Sequence, residues 1–133
     1  PLQRSSLNAQ QAAQQLVDIL EARMLREDAA RHDVALAATS HLPYLISSAL
    51  ALATAPETGR FVGPGFRSTA RLAGTPSSMM LGVLETNRDQ VLARLKDFEA
   101  VLGRFQQAIE HDDMPGLKDL LDSAQSRYQT LLQ

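Results

Sequence analysis

The sequence contains no cysteine and almost no excess of charge of either sign. Without cysteine the chain has neither a disulfide nor a thiolate metal site, which fits the reducing cytoplasm that we expect as its location. Thirteen basic and fifteen acidic residues give a net charge of −2, too little to attract nucleic acid or an anionic membrane surface. We therefore expect neither nucleic acid nor a membrane as a partner.

A long uninterrupted hydrophobic run is also missing. The most apolar stretch, residues 42–53, includes Pro43, Tyr44 and Ser48, and it is too short and too polar to cross a bilayer. The opening residues PLQRSSLNAQQ lack the hydrophobic segment of a signal peptide. Because the chain begins with Pro1 and enters helical periodicity almost at once, we expect a fragment or a processed chain cut near a domain edge.

Apolar residues recur at three- and four-residue steps along most of the chain, which is the period of an amphipathic α-helix. The periodic segments predict four helices, over residues 8–25, 28–54, 76–111 and 114–132. Proline and glycine interrupt the pattern in residues 55–69, APETGRFVGPGFRST, and predict a loop there. Because no segment of useful length alternates with period two, we predict an all-α fold, a multi-helix bundle around a buried central helix.

Three polar residues share one side of that central helix. His41, Tyr44 and Ser48 lie at positions i, i+3 and i+7, within about 60° of one another at 100° per residue. A buried polar group costs a few kcal/mol unless it is hydrogen-bonded, so this stripe needs partners. Either neighbouring helices supply them, or the stripe faces a ligand.

Two arginines, Arg67 and Arg71, lie in a segment rich in glycine, serine, threonine and alanine that lets the backbone approach a ligand closely. The guanidinium group grips a carboxylate through two parallel hydrogen bonds. Arg71 therefore predicts a carboxylic acid as ligand, and Thr75 follows it as a predicted helix N-cap. The alternative is a surface charge or a pair with an acid of the chain itself, which we favour for Arg67.

Other familiar sites are missing. His32 and His41 are nine residues apart and fall on opposite helix faces, so we predict no metal site. His111, Asp112 and Asp113 read as a solvated helix end. Neither G-x-G-x-x-G nor G-x-x-x-x-G-K occurs, and we expect this chain alone to bind no nucleotide cofactor.

Residues 32–51, 65–80 and 87–92 resemble the C-terminal, all-helical half of prephenate and arogenate dehydrogenases, a fold similar to the 6-phosphogluconate-dehydrogenase-like C-terminal domain. The resemblance implies that residues 1–27 are the end of the preceding nucleotide-binding domain, its final helix and a possible strand. It implies that residues 28–133 form the helical dimerisation and substrate-binding domain. The intact parent would be a homodimer that decarboxylates prephenate or arogenate oxidatively, with NAD or NADP, on the route to tyrosine.

The resemblance also implies roles for individual residues. The substrate-binding residues would be His41, Tyr44, Arg71 and Thr75, and a cleft-side network would include Asp33 and Ser48. Tyr44 stands where the family has a second histidine, so prephenate and arogenate both stay open as substrate. The family's catalytic histidine belongs to its N-terminal domain, so we expect no catalytic residue here and an inactive isolated chain. The alternative function is a non-catalytic helical self-association module.

Overall fold

The computed structural model describes residues 5–133, and every regular element in this part of the chain is helical, which confirms the predicted all-α class. The α-helices lie in the order α1 (Leu7–Ile19), α2 (Ala29–Leu36), α3 (Leu42–Ala53), α4 (Pro64–Thr69), α5 (Ser77–Thr86), α6 (Arg88–Glu110) and α7 (Met114–Leu131). A π-helical turn, Ala37–His41, joins α2 to α3, and two 3-10 turns, Pro56–Phe61 and Arg71–Gly74, flank α4. The chain divides into two compact units at Val91 and Leu92, and each is described by itself.

Helix α1 begins at Leu7 and is capped by Ser6, whose side chain accepts a hydrogen bond from the Ala9 N–H at 3.2 Å. Asn8, the predicted first residue of this helix, lies inside it, and the helix ends at Ile19, six residues before its predicted end. Residues 22–28 after α1 have no regular structure, since a strand there would need a partner strand and residues 5–133 provide none. The first four residues of the predicted 1–27 segment lie outside the described part, and its assignment to a preceding domain stays a prediction.

The central helix is one helical run from Ala29 to Ala53 with a wide turn in its middle. Asp28 starts it by accepting a hydrogen bond from the Arg31 N–H at 3.0 Å. At the π turn the Leu42 N–H bonds to the carbonyl of Ala37, five residues earlier. The next residue, Pro43, has no N–H to continue the α pattern, and the π turn lies directly before it.

This helical run is long and apolar enough, by length and composition alone, to cross a membrane. The sequence argument about length was wrong because it considered residues 42–53 only, and α2 with the π turn extends the helix to 25 residues. The central helix of a bundle that buries its apolar faces has the same composition. The expectation of no membrane partner therefore stays a prediction.

The predicted helix over residues 76–111 is two helices, because Asn87 interrupts it. The backbone of Asn87 (φ −115°, ψ 27°) is not helical; its N–H closes α5 on the Val83 carbonyl, and its own carbonyl accepts the Val91 N–H that opens α6. The predicted N-cap, Thr75, is also wrong, because α5 starts two residues later with Pro76 at the cap position and no side-chain cap bond.

Residues 55–69, predicted as a loop, contain two short helical pieces. Pro56 starts the first 3-10 turn and Pro64 starts α4. A proline suits the first helical position because its φ is already helical and its missing N–H would have had no partner there. The same prolines that interrupt the long periodic pattern therefore begin these short elements.

From Leu92 onward the chain consists of most of α6 and all of α7. Asp113 caps α7 by accepting the Gly116 N–H at 2.9 Å, and the helix follows its predicted bounds to within one residue. Ala108 is the fully buried residue of this unit. Large apolar side chains stay exposed on both helices, at Val101, Leu102, Ile109, Leu121 and Leu131.

Candidate functional site

Among residues 5–91, half of the buried residues are polar. The buried residues are Ala37, His41, Ser47, Met80, Asn87 and Val91. Most buried polar groups in proteins are hydrogen-bonded, because an unpaired buried donor or acceptor destabilises the fold. The hydrogen bonds of His41, Ser47 and Asn87 therefore show which segments of the first unit are held together by specific contacts.

His41 ends the π turn and is 6% exposed. Its Nδ1 atom lies 3.3 Å from Nδ2 of Asn87, the residue between α5 and α6. The same Nδ2 atom donates a hydrogen bond to the backbone carbonyl of Asp33 at 2.7 Å. One asparagine thus ties α2, the π turn and the α5–α6 junction together, and it answers the need of the predicted stripe for a partner at His41.

Asp33 joins this network through its main chain. Its carboxylate Oδ1 lies 3.2 Å from Nδ1 of the adjacent His32, and both side chains are more than half exposed. Asp33 therefore takes part in the buried network through its carbonyl oxygen, and its place in a cleft-side network stays a prediction. The carboxylate of Asp33 belongs instead to the solvent-exposed pair with His32.

Ser47, rather than Ser48, reaches another segment of the chain. Ser47 is 1% exposed, and its Oγ accepts a hydrogen bond from the Ala73 N–H at 3.0 Å. Ser48 donates to the Tyr44 carbonyl of its own helix at 2.9 Å, a local bond that satisfies the hydroxyl without any neighbour. Tyr44 and Ser48 are both half-buried.

Arg71 is the first residue of the 3-10 turn that Ser47 holds, and that turn packs against α3. Its side chain is exposed. Within residues 5–133 neither Arg71 nor Arg67 forms an ion pair, so pairing with an acid of the chain itself does not account for either arginine. Thr75 follows the turn, half-buried, with its N–H bonded to the Leu72 carbonyl. The turn that carries the free guanidinium is therefore fixed to the helix that begins next to His41.

An open cavity of about 490 Å³ adjoins the Asn87 junction. Its charged lining consists of Asp33, Glu85, Asp89 and Arg88. Three carboxylates against one guanidinium make this cavity unsuited to an anionic ligand. In the part of the chain that the structure describes, no three histidine, aspartate or glutamate side chains group as metal ligands would.

The sequence analysis did not identify Ser47 and Asn87 as site residues. Ser47 stands beside Ser48 in an apolar helix, and its importance depends on a partner 26 residues away. Asn87 stands in a periodic apolar pattern that continues on both sides of it, so the sequence carries no local signal of its role.

Residues 28–123 match the model of the family "Prephenate dehydrogenase, dimerization domain". A prephenate dehydrogenase of Lactococcus lactis subsp. cremoris is 30% identical, over 76% of this chain and 32% of its own length. Arogenate dehydrogenase from Synechocystis superposes with a TM-score of 0.83 at 23% identity, over 98% of this chain and 50% of its own. Prephenate dehydrogenase from A. aeolicus, in complex with hydroxyphenyl propionate and NAD+, superposes with a TM-score of 0.83 at 18% identity. This superposition covers 98% of this chain and 48% of the A. aeolicus chain. The chain thus spans about a third of the length of the curated relative and about half of the length of the solved structures.

Proposed function

Because the chain belongs to the prephenate dehydrogenase family through its dimerisation domain, we propose that it forms the dimer interface and the substrate-carboxylate site of a prephenate or arogenate dehydrogenase. The whole protein would carry out an NAD- or NADP-dependent oxidative decarboxylation in tyrosine biosynthesis. The sequence contains no glycine-rich phosphate-binding turn, so we assign the cofactor to a separate nucleotide-binding domain. The A. aeolicus relative, of which this chain covers 48%, was solved with NAD+.

Arg71 is the residue that we propose to bind the substrate carboxylate. Its guanidinium is exposed and unpaired within residues 5–133, so its five donors stay available to a ligand. The observation that carries the proposal is the Ser47–Ala73 hydrogen bond, which holds the Arg71 turn against α3. His41, Tyr44 and Thr75 would complete the binding surface around an organic acid, and hydroxyphenyl propionate, the ligand of the A. aeolicus enzyme, is such an acid.

The test compares Arg71→Ala with Arg67→Ala in the full-length dehydrogenase. Both arginines are exposed and lie outside ion pairs in the described residues, which makes Arg67 a matched control. Loss of a charge-assisted hydrogen bond costs about 2 kcal/mol, or roughly 30-fold in affinity. Calorimetry with hydroxyphenyl propionate and the substrate KM should both show this loss for Arg71→Ala, with little change for Arg67→Ala.

Equal binding by Arg71→Ala and the unaltered protein would reject the carboxylate role. That outcome would favour the second candidate function, a helical module that only associates with itself. The exposed apolar surface supports self-association in either case.

We also propose that the chain forms a homodimer. Leu52 on α3 is 88% exposed and Phe61 is 74% exposed, and Met79 and Leu81 on α5 are exposed as well. Large apolar groups left in water at several sites of one chain mark a surface that a partner covers, and a second copy fits a dimerisation domain. Sedimentation at micromolar concentration should give a dimer, and a monomer at that concentration would contradict the proposal.

A further inference from the structure

The amide of Asn87 contacts two groups through one nitrogen. Nδ2 lies 2.7 Å from the Asp33 carbonyl oxygen and 3.3 Å from His41 Nδ1. A carbonyl oxygen only accepts hydrogen bonds, so the atom that faces it is the NH2 group of the amide and not its oxygen. The Asp33 carbonyl thereby fixes which way round the Asn87 side chain lies.

That orientation determines the donor and acceptor at His41. An amide NH2 group has two N–H donors and accepts no hydrogen bond. With one N–H given to Asp33, the second is directed to His41 Nδ1, which must therefore be the unprotonated nitrogen with its lone pair free. In a neutral imidazole the proton then lies on Nε2.

We propose that Asn87 is a positioning residue that holds His41 as the Nε2–H tautomer, so that the ring presents a hydrogen-bond donor to an organic acid. Within residues 5–133 no hydrogen bond involves His41 Nε2, and this atom keeps some contact with solvent although the residue is only 6% exposed, so its N–H has no acceptor within the protein. The tautomer follows from the contacts alone, and only the identity of the ligand rests on the proposed function. A donor at Nε2 is the form that complements a carboxylate or carbonyl oxygen.

The other two histidines have the opposite arrangement at Nδ1. In His111 this atom lies 2.8 Å from the Gln107 carbonyl, and in His32 it lies 3.2 Å from the Asp33 carboxylate. Both partners are acceptors, so Nδ1 carries a proton in each. His111 therefore serves as an internal reference for His41 in the same spectrum.

The direct test is a long-range 1H–15N correlation spectrum of the 15N-labelled 133-residue chain at neutral pH, with His41 assigned by the signals that His41→Gln removes. We expect a bare Nδ1 and a protonated Nε2 at His41. A proton on Nδ1 of His41 overturns the proposal, whether or not the protein binds an organic acid. This measurement uses the unaltered sequence, so it does not depend on how well any variant at Asn87 folds.

Asn87→Asp provides the second test. A carboxylate has no N–H to offer, so it should draw the imidazole proton to Nδ1 and reverse the His41 pattern. Asn8→Asp, an exposed position on α1, is the matched control and should leave the His41 signals unchanged. A folded Asn87→Asp variant that keeps a bare Nδ1 at His41 would overturn the proposal.

The functional consequence is measured with hydroxyphenyl propionate in the full-length dehydrogenase. We expect Asn87→Asp to weaken its binding about tenfold, as when one hydrogen bond to a charged group is lost. Unchanged binding in Asn87→Asp, beside a loss in Arg71→Ala, would overturn the positioning role alone. Unchanged binding in both variants would reject the proposed function and would still leave the tautomer to be decided by the spectrum.

Discussion

Up to Val91, the hydrogen bonds of the buried side chains of Ser47, Asn87 and His41 join residues that lie 26, 46 and 54 positions apart. From Leu92 onward, every side-chain hydrogen bond joins residues no more than four positions apart. The second unit is thus two amphipathic helices with local polar contacts on their surfaces. The first unit encloses a polar network that exists only after distant segments have come together.

This difference indicates where stability and specificity depend on single residues. Surface pairs such as Arg94 with Asp97 are worth a few tenths of a kcal/mol to about 1 kcal/mol, because water competes for both partners. A buried donor or acceptor that loses its partner costs about 1–3 kcal/mol. Substitutions at polar residues should therefore have large effects in the first unit and small effects in the second.

The largest effect is expected at Asn87. Asn87→Ala leaves His41 Nδ1 without a partner and removes one of the two hydrogen bonds that the Asp33 carbonyl accepts, the other coming from the Ala37 N–H. We expect the free energy of unfolding to fall by about 3 kcal/mol, since one hydrogen bond is lost and one buried acceptor stays unpaired. Asn8→Ala removes the chain's other asparagine from an exposed position on α1 and should change stability by less than about 0.5 kcal/mol. Urea unfolding followed by circular dichroism measures both, and equal stabilities would show that the polar network does not support the first unit.

A smaller effect is expected at Ser47. Ser47→Ala removes the closer of the two acceptors of the Ala73 N–H, which keeps its bond to the Ala70 carbonyl at 3.1 Å. The loss of this one hydrogen bond at a 1% exposed position should lower the free energy of unfolding by about 1 kcal/mol. Ser48→Ala, the adjacent serine with a bond only to its own helix, should cost less than about 0.5 kcal/mol. The same urea experiment compares them; if Ser48→Ala proved the more harmful, the hydroxyl of Ser47 would not anchor the Arg71 turn.

The helices whose bounds are set by apolar spacing and by flanking cap or breaker residues could be predicted from the sequence. Period, caps and breakers predicted α7 and the Ala29–Ala53 run closely, because the apolar spacing and the flanking residues carry that information locally. The break at Asn87 could not be seen this way, since apolar residues keep the helical period on both sides of it. The backbone there is set by the hydrogen bonds of its side chain to Asp33 and His41.

The candidate site was predictable in its residue types more than in its contacts. His41 and Arg71 stood out because a histidine in an apolar helix and an arginine among small residues both require explanation. Ser47 looked no different from Ser48, because both lie on the same apolar helix and only the fold brings Ala73 to one of them. Long-range partners of this kind are fixed by the packing of several segments at once, which local periodicity does not encode.

The smallest expected effect is a gain in stability, and it concerns a helix ending that occurs in both units. Two residues after the end of α1 and of α6, Glu21 (φ 52°) and Asp112 (φ 50°) adopt the left-handed conformation. The N–H of the next residue, Ala22 or Asp113, donates to the carbonyl five residues earlier, as in a Schellman cap.

Glycine adopts this conformation without strain, so Glu21→Gly and Asp112→Gly should each raise the free energy of unfolding by about 0.5 kcal/mol. Asp119→Gly, inside α7, should instead lower it by about 0.3 kcal/mol, the difference in helix propensity between the two residues. Glu21→Gly should gain at least as much as Asp112→Gly, because aspartate tolerates the left-handed region better than glutamate does. Urea midpoints of the three variants provide the measurement, and a loss of stability at Glu21→Gly and Asp112→Gly alike would mean that these two side chains contribute more at the helix ends than their backbone strain costs.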